Sequence, residues 1–204
     1  VDEGNNFDER RTITHARNAS FKIASQLGIK YFMQLDDDYT SFGYKHKDDD
    51  LKQLLYKDIY NLDAVICAYL EFYKACPDIK SLAFAQGGDF LGGIQNANIV
   101  RQTFPLLRKC MNSFICSTDR PFQFVGAMNE DVNTYTTLGS RGALFLTAPI
   151  VMLNQKQTQA QAGGITDMYL KYGTYCKSFT TVMMQPSSVC VSMMQSRHER
   201  LHHS

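Results

Sequence analysis

The stretch that decides the fold is Tyr31-Phe32-Met33-Gln34-Leu35-Asp36-Asp37-Asp38-Tyr39, in which a short, mostly apolar run leads directly into three carboxylates. A run of this length and composition predicts a buried strand. Three adjacent carboxylates repel one another unless a cation lies between them, and their hard oxygen atoms suit Mg²⁺ or Mn²⁺. Ligands of open α/β sheets bind outside the carboxyl ends of the strands, which is where these acids fall. The simpler interpretation is an acidic turn that merely ends the strand.

Helical and extended segments alternate around this stretch. Thr14 is placed to cap a helix with an apolar face, and Gly28 is placed to end it. A second helix is predicted from Asn61 to Cys76, and Ser41–Asp50 is predicted to be a polar loop. Further strands are predicted at Ser81–Ala85, Phe122–Gly126, Ala143–Leu146 and Val189–Met193. We therefore predict an α/β fold with a mostly parallel sheet flanked by helices.

Charge is unevenly distributed along the 204 residues. Residues 1–100 carry 11 Lys/Arg against 15 Asp/Glu, and residues 101–204 carry 10 against 5. An acidic half and a basic half could together hold a metal ion and a diphosphate, but the basic excess is too small to indicate nucleic-acid binding by itself. The six cysteines lack zinc-binding spacing, and the longest apolar run, Ala143–Leu153, is too short to span a bilayer. We therefore expect a cytoplasmic protein with reduced thiols and no membrane association.

Two further polar motifs follow predicted strands. Gln86–Gly93 is rich in glycine, and its pair Gly87-Gly88 before Asp89 would allow a ligand close to the backbone. The spacing matches neither a P-loop nor a dinucleotide-binding fingerprint, so this signal is weak alone. In the other motif, Asn129-Glu130-Asp131, the asparagine could cap a helix whose first turn holds the two acids. Acidic helix starts of this kind are usually structural.

Three motifs now occur in one order: Ala16-Arg17-Asn18 in a helix, Asp36-Asp37-Asp38 after a strand, and Asn129-Glu130-Asp131 at a later helix start. This order resembles that of glycosyltransferases with the GT-A fold. The fuller set resembles the phage glycosyltransferases associated with TET and base-J-type dioxygenases, which add sugars to hydroxymethylated pyrimidines in DNA. The residues that carry this resemblance are Phe32–Tyr39, Ala85–Asp89, Asn129–Tyr135, Gly163–Asp167 and Arg200–His203.

The resemblance extends over nearly the whole chain from about Thr12, and it implies a single GT-A-like domain over residues 1–204. It also implies a phage-encoded protein that works in the host cytoplasm. The GT-A fold normally has a strand–helix–strand portion for the nucleotide base before the Ala-Arg-Asn helix. Only Val1–Gly4 could represent the end of that portion, so we expect part of it to be missing and leave the uridine-side contacts unassigned.

The resemblance assigns donor-side roles to individual residues. Asp36 and Asp38 would bind a divalent metal, Mn²⁺ or Mg²⁺, on the diphosphate of a nucleotide sugar, which we expect to be a UDP-sugar. Asp37 would face the sugar or the ribose, and His202 or His203 would complete the metal site. The other residues assigned to donor binding are Arg17, Gly87, Gly88 and Asp89.

On the acceptor side, the resemblance places Asp131 as the catalytic base and leaves Glu130 to support the acceptor or the helix start. The acceptor would be the hydroxymethyl group of 5-hydroxymethylcytosine or 5-hydroxymethyluracil in DNA, either flipped out of a duplex or single-stranded. Basic residues that could share the charge of the diphosphate are Arg101, Arg141 and Lys177. Candidates for stacking on the acceptor are Tyr39, Phe42, Tyr44 and Tyr135.

Three alternatives stay open. A GT-A core does not fix the acceptor, so a protein hydroxyl or a glycan could replace DNA. An acidic cluster that holds two metals could support nuclease chemistry, although a nuclease needs no Asn-Glu-Asp helix start. The third alternative is a non-catalytic scaffold that binds a nucleotide sugar, against which the intact Asp36, Asp38 and Asp131 argue.

Overall fold

The computed structural model describes residues 12–48, 53–90, 108–156, 171–173, 175–194 and 200–203, without the side chains of residues 47, 48, 53, 192–194 and 200–203. The chain divides into two compact units. The sheet unit comprises Tyr31–Arg120 and Leu144–Gln157, and the helix unit comprises Val1–Lys30, Pro121–Ala143 and Thr158–Ser204. The single-domain assignment of residues 1–204 stays a prediction.

The sheet unit is built from β1 (Tyr31–Gln34), β2 (Tyr39–Asp48), β3 (Gln53–Asp58), β4 (Ile79–Gln86), β5 (Phe114–Ser117) and β6 (Leu144–Gln155). These strands form one sheet in the order β1-β5-β4-β6-β2-β3. Among the described strands, β4 pairs with β6 in parallel, and the other pairs are antiparallel. The prediction of a mostly parallel sheet is therefore wrong. A short connection such as that between β2 and β3 leaves no room for the crossover that parallel pairing needs, so the sheet is mixed.

Helix α2 (Leu62–Ala75) packs on the sheet in this unit. The side chain of Asn61 accepts a hydrogen bond from the Ala64 amide at 3.1 Å, so the predicted cap and the predicted end before Pro77 are both confirmed. Tyr73 is fully buried against Leu82 in the core. Local capping and periodicity were enough to predict this element.

The predicted polar loop at Ser41–Asp50 is wrong, because β2 extends through Asp48. The segment alternates between a core-facing and an outward-facing side: the Phe42 ring lies 5.7 Å from the Phe84 ring, and the Ser41 hydroxyl lies 3.2 Å from that of Tyr56. The Tyr56 ring covers Gly43 so closely that a Cβ would collide with it. A larger residue at this point of the strand would therefore displace the Tyr56 ring.

The helix unit contains α1 (Thr14–Gln26), α3 (Glu130–Gly139), α4 (Tyr175–Met184) and an antiparallel ribbon of β7 (Val191–Met194) and β8 (Arg200–His203). Gly28 adopts a φ of 68° just after α1, which confirms its predicted place. Thr14 is the first residue of α1 rather than its cap, and the hydroxyl of Thr12 accepts the Thr14 amide at 3.2 Å.

Phe122–Gly126 is not the predicted strand. The Asn18 side chain donates to the Phe124 carbonyl at 3.0 Å and accepts from the Phe124 amide at 2.7 Å. The side-chain amide of Asn18 thus takes the place of a neighbouring strand, so an apolar run lies in irregular backbone with its polar groups satisfied. The motif at Gly163–Asp167 and the residues Val1–Gly4 lie outside the described part of the chain.

Candidate active site

The strands β1, β4 and β6 run in the same direction, so their carboxyl ends lie at the same end of the sheet. We call this end the sheet edge. Residues 35–38 connect β1 to β2, which is four strand spacings away, or about 19 Å. The connection therefore carries Asp36, Asp37 and Asp38 along the carboxyl ends of the intervening strands β4 and β6.

Three hydrogen bonds fix the far end of this connection. The Lys156 amide donates to the Asp38 carbonyl at 3.0 Å, and the Tyr39 hydroxyl donates to the Asn112 carbonyl at 2.7 Å. Asn112, which has a φ of 61°, donates from its side chain to Gln155 at 2.9 Å. The residues around Asp38 are thus held by both β6 and the segment before β5.

The three acids differ in exposure. Asp37 is exposed, whereas Asp36 and Asp38 are half-buried. Oδ1 of Asp38 is buried, and none of the described residues donates a hydrogen bond to it. A buried carboxylate oxygen without a partner costs about 1–3 kcal/mol or more, and a cation would relieve that cost. The donor chemistry of Asp36 and Asp38 therefore fits a divalent metal.

A complete metal site is not formed by the described side chains. Among them, no three His, Cys, Asp or Glu residues come close enough together to hold an ion. The backbone of His202 and His203 belongs to β8, and their side chains lie outside the description. The predicted closure of the site by a histidine thus stays a prediction.

The glycine-rich motif begins at the carboxyl end of β4 with a 3₁₀ helix, Gly87–Phe90. Gly87 and Gly88 are exposed, and no atom of the described residues lies within 4 Å of a Cβ added to either. Asp89 instead turns inward: its Oδ2 accepts the Gln86 amide at 2.9 Å, and its Oδ1 lies 3.9 Å from the Arg108 guanidinium. Burial raises the pKa of the Asp89 carboxyl, and the Gln86 amide partly offsets that rise.

In the helix unit, α1 and the start of α3 are joined by a buried ion pair. Nε of Arg17 lies 3.3 Å from the Glu130 carboxylate, and the two side chains are 5% and 10% exposed. The Arg17 guanidinium also lies 5.4 Å from the centre of the Phe124 ring. Arg17 and Asn18 of the Ala-Arg-Asn motif therefore hold the segment that leads into α3.

Asp131 is the next residue of α3, and it is 5% exposed. Its Oδ1 accepts the Val132 amide at 2.7 Å, which fixes the orientation of the carboxylate at the helix start. Glu130 is engaged by Arg17, whereas the described contact of Asp131 occupies one of its two oxygens. The two adjacent acids thus have different environments.

The turn before these acids is held by a buried polar network. Asn129 adopts a φ of 56° and does not cap α3 with its side chain, contrary to its predicted role. It donates instead to the Thr181 hydroxyl at 2.6 Å, and Thr181 donates to Asn133 at 2.7 Å. Asn133 in turn donates to the Met128 carbonyl at 2.8 Å. One hydroxyl of α4 therefore fixes the start of α3.

The model of the TET-associated glycosyltransferase family matches residues 4–164, more than three quarters of the chain. The protein belongs to this family. It is therefore a glycosyltransferase, which implies a nucleotide-sugar donor and an acceptor, and the resemblance stated from the sequence is confirmed. No curated protein and no solved structure matches the chain. Within the described residues, no helix is long and apolar enough to cross a membrane.

The stacking and basic residues proposed from the sequence of this TET-associated glycosyltransferase differ in their exposure to solvent. Tyr39 and Phe42 are half-buried and pack against a core cluster, with ring centres 6.2 Å apart, and their stacking role stays a prediction. Tyr44 is 37% exposed and Tyr135 is half-buried. Arg141 is exposed and Lys177 is half-buried, while Arg101 lies outside the described residues.

Sequence reasoning missed the supporting residues Thr181, Asn133 and Arg108. Thr181 lies on a helix without any motif, and its contacts with Asn129 and Asn133 are long-range, so no local signal pointed to it. Asn133 was visible only as part of the Asn129–Tyr135 motif. Because Asn129 precedes α3 with a left-handed backbone, helical spacing from Asn129 gave no signal for Asn133.

Proposed function

We propose that this protein transfers a sugar from a UDP-sugar to the hydroxymethyl group of 5-hydroxymethylcytosine or 5-hydroxymethyluracil in DNA, with inversion at the anomeric carbon. The observation that carries the proposal is the buried Asp38 oxygen, at the sheet edge where α/β enzymes bind ligands, in a chain of the TET-associated glycosyltransferase family. The DNA acceptor rests on the resemblance described above.

The donor would be held at the sheet edge. Asp36 and Asp38 would hold Mn²⁺ or Mg²⁺, which neutralises the charge of the departing diphosphate, and His202 or His203 would complete the ligand set. Gly87 and Gly88 are exposed, and no described residue crowds the position of a Cβ on either, so a phosphate or a sugar would approach their backbone there. The exposed Asp37 is free to face the ribose or the sugar.

Asp131 would be the base. Its carboxylate takes the proton of the acceptor hydroxyl while the hydroxyl oxygen attacks the anomeric carbon, and the bond from that carbon to the diphosphate oxygen breaks. Because Oδ1 of Asp131 already accepts a hydrogen bond from the Val132 amide, Oδ2 is the oxygen that would accept the proton. Glu130, which Arg17 engages, would orient the helix start rather than take a proton.

Mass spectrometry of nucleosides tests this proposal. Hydroxymethylated DNA is incubated with the protein, Mn²⁺ and mixed sugar nucleotides, and then digested; unmodified DNA and the Asp131→Asn variant serve as controls. We expect a mass increase of one sugar on the hydroxymethylated nucleoside alone. Sugar-nucleotide hydrolysis without modified nucleosides would show that the acceptor is wrong, and phosphodiester cleavage would contradict the transferase mechanism itself.

A further inference from the structure

A strained three-residue turn lies at the sheet edge, just before β5. The Ser113 amide donates to the Met111 carbonyl at 2.7 Å, so Asn112 is the central residue of a turn closed by a bond between residues i and i+2. Asn112 has a φ of 61°, and the form of this turn with a positive φ is rare and strained. We call residues 111–113 the Asn112 turn.

Hydrogen bonds tie the Asn112 turn to three strands. The Phe84 amide of β4 donates to the Ser113 hydroxyl at 2.9 Å. The Asn112 side chain donates to Gln155 of β6 at 2.9 Å, and the Asn112 carbonyl accepts from the Tyr39 hydroxyl of β2 at 2.7 Å. A strained backbone persists only where the surrounding structure determines it, and these three bonds do so.

The position of the strain points to a use in the candidate site. Among the described residues other than glycine, Asn112 and Asn129 have a positive φ. Asn129 directly precedes Glu130 and Asp131, and the tyrosine that bonds to Asn112 directly follows Asp38. Backbone strain of this kind clusters at active sites. Both sets of acids thus have a strained asparagine next to them or one hydrogen bond away.

The Asn112 turn is connected to Asp38 through a closed ring of contacts. Tyr39 and Gln155 are partners in the pairing of β2 with β6, and Asn112 bonds to both of them. The next residue of β6's chain, Lys156, donates its amide to the Asp38 carbonyl at 3.0 Å. The carbonyl of Asp38 and the residue that follows it are therefore both held in place.

We propose that the Asn112 turn positions Asp38 as a metal ligand, with the Tyr39 hydroxyl as the connecting contact. This inference rests on the proposed function, in which Asp38 binds Mn²⁺ or Mg²⁺. A carboxylate that is already in place binds a metal ion more tightly than one that must be ordered on binding, because less conformational entropy is lost. Asn112 and Tyr39 are thus positioning residues for the metal site.

The Mn²⁺ concentration that half-saturates the binding of UDP tests this inference, and calorimetry with UDP at a series of Mn²⁺ concentrations measures it. Tyr39→Phe removes the hydroxyl that reaches Asn112. Loss of a group that orients a metal ligand typically costs about 10- to 100-fold in metal affinity, so this variant should need that much more Mn²⁺. Asn112→Gly adopts a positive φ easily but loses the contact with Gln155, and it should shift the midpoint in the same direction.

The matched control is Tyr73→Phe. The Tyr73 hydroxyl donates to the Lys80 carbonyl at 2.8 Å, near the start of β4 and thus at the opposite end of the sheet. Its loss removes a similar bond to a backbone carbonyl, so it should leave the Mn²⁺ midpoint unchanged. Circular dichroism checks that the variants fold, and a loss of folded protein would lower the number of binding sites rather than move the midpoint.

The outcomes separate the inference from the proposed function. If wild type needs Mn²⁺ to bind UDP and Asp38→Asn loses this binding, a wild-type midpoint in Tyr39→Phe overturns the inference and leaves the metal site standing. Equal shifts in Tyr39→Phe and Tyr73→Phe would also overturn it, because the effect would then not depend on the Asn112 turn. If wild type binds UDP equally well without a metal, the metal role in the proposed function fails, and the inference fails with it.

Discussion

The acids at the sheet edge and the acids at the start of α3 are held in opposite ways. Asp38 keeps a buried oxygen to which no described residue donates, and Asp37 is exposed. Glu130 and Asp131 are buried at 8% and 5% exposure, and their described partners are Arg17 and the Val132 amide. The comparison teaches that the protein itself supplies described partners for Glu130 and Asp131, whereas one buried oxygen at the sheet edge, Oδ1 of Asp38, has none among the described residues.

The largest effect is expected at the sheet edge. Asp38→Asn should abolish the Mn²⁺-dependent binding of a UDP-sugar, because the neutral amide is a poor ligand for a hard cation. Calorimetry with Mn²⁺ and with a chelator measures this. Asp37→Asn, which changes the exposed neighbour, should keep metal-dependent binding. Equal affinity of Asp38→Asn and wild type in Mn²⁺ would remove Asp38 from the metal site.

Asp131→Asn should lower the transfer rate by about 10²–10⁴-fold, the usual contribution of a positioned base. The affinity for the sugar nucleotide should change little, because the base contacts the acceptor. Glu130→Gln should be the milder variant, since that carboxylate is engaged by Arg17. Rates of transfer to hydroxymethylated DNA check both variants, and a greater loss in Glu130→Gln than in Asp131→Asn would reverse the assignment.

Arg17→Met should lower the free energy of unfolding by about 3–5 kcal/mol, because it leaves the buried Glu130 carboxylate without its cation. The double variant Arg17→Met/Glu130→Met should regain much of that loss, since replacement of both partners by apolar residues is often neutral or stabilising. Urea unfolding measures both. A double variant as unstable as the single one would show that the ion pair is not the cause.

The same variants also test the donor-binding role that the resemblance gave to Arg17. If Arg17 contacts the nucleotide sugar, the stable double variant should still bind it weakly. Unchanged affinity in the double variant would make Arg17 a residue that only positions the start of α3.

Thr181→Val should cost about 1–3 kcal/mol, because it leaves Asn129 and Asn133 with buried polar groups that have lost their partner. Thr180→Val is the matched control: the Thr180 hydroxyl donates within its own helix to Cys176 at 2.9 Å, so its loss should cost less. Thermal unfolding of the two variants measures the difference. Equal losses would mean that the network does not contribute to stability.

The smallest effect is expected at Asp89. Because burial raises its folded-state pKa above the ordinary 3.8, the folded state binds more protons than the unfolded state between the two values. The contribution of Asp89 to stability is thus full below about pH 3.8 and is lost as pH rises through the raised pKa. Asp89→Asn should therefore gain stability relative to wild type between pH 3.5 and pH 7, measured by urea unfolding. A relative loss over that range would contradict the sign.

What the sequence could predict depended on how local the cause was. Asn61 caps α2 and Gly28 ends α1 through contacts within a few residues, so both elements were found. Phe122–Gly126 has the composition of a strand, but its partner is the Asn18 side chain from a distant part of the chain. No periodicity within the segment could indicate that partner.

The same distinction between local and long-range causes applies to the candidate site. The Asp36–Asp38 connection at a strand end was predictable, because an apolar run that ends in acids is itself the signal. The division of roles between Glu130 and Asp131 depends on Arg17 and Val132, and only the structure shows those contacts. The direction of the strands could not be predicted either. An alternation of helices and strands does not indicate that β5 runs antiparallel to β4.

The position of β6 in the sheet has a consequence for biosynthesis. Although it lies between β4 and β2, it is the last of the six strands to leave the ribosome. Until residues 144–155 emerge, at about 5–20 residues per second, β4 and β2 lack the strand that pairs with both of them. Unpaired strand edges can recruit another chain. A chain released before residue 144 would therefore leave β4 and β2 without their common partner.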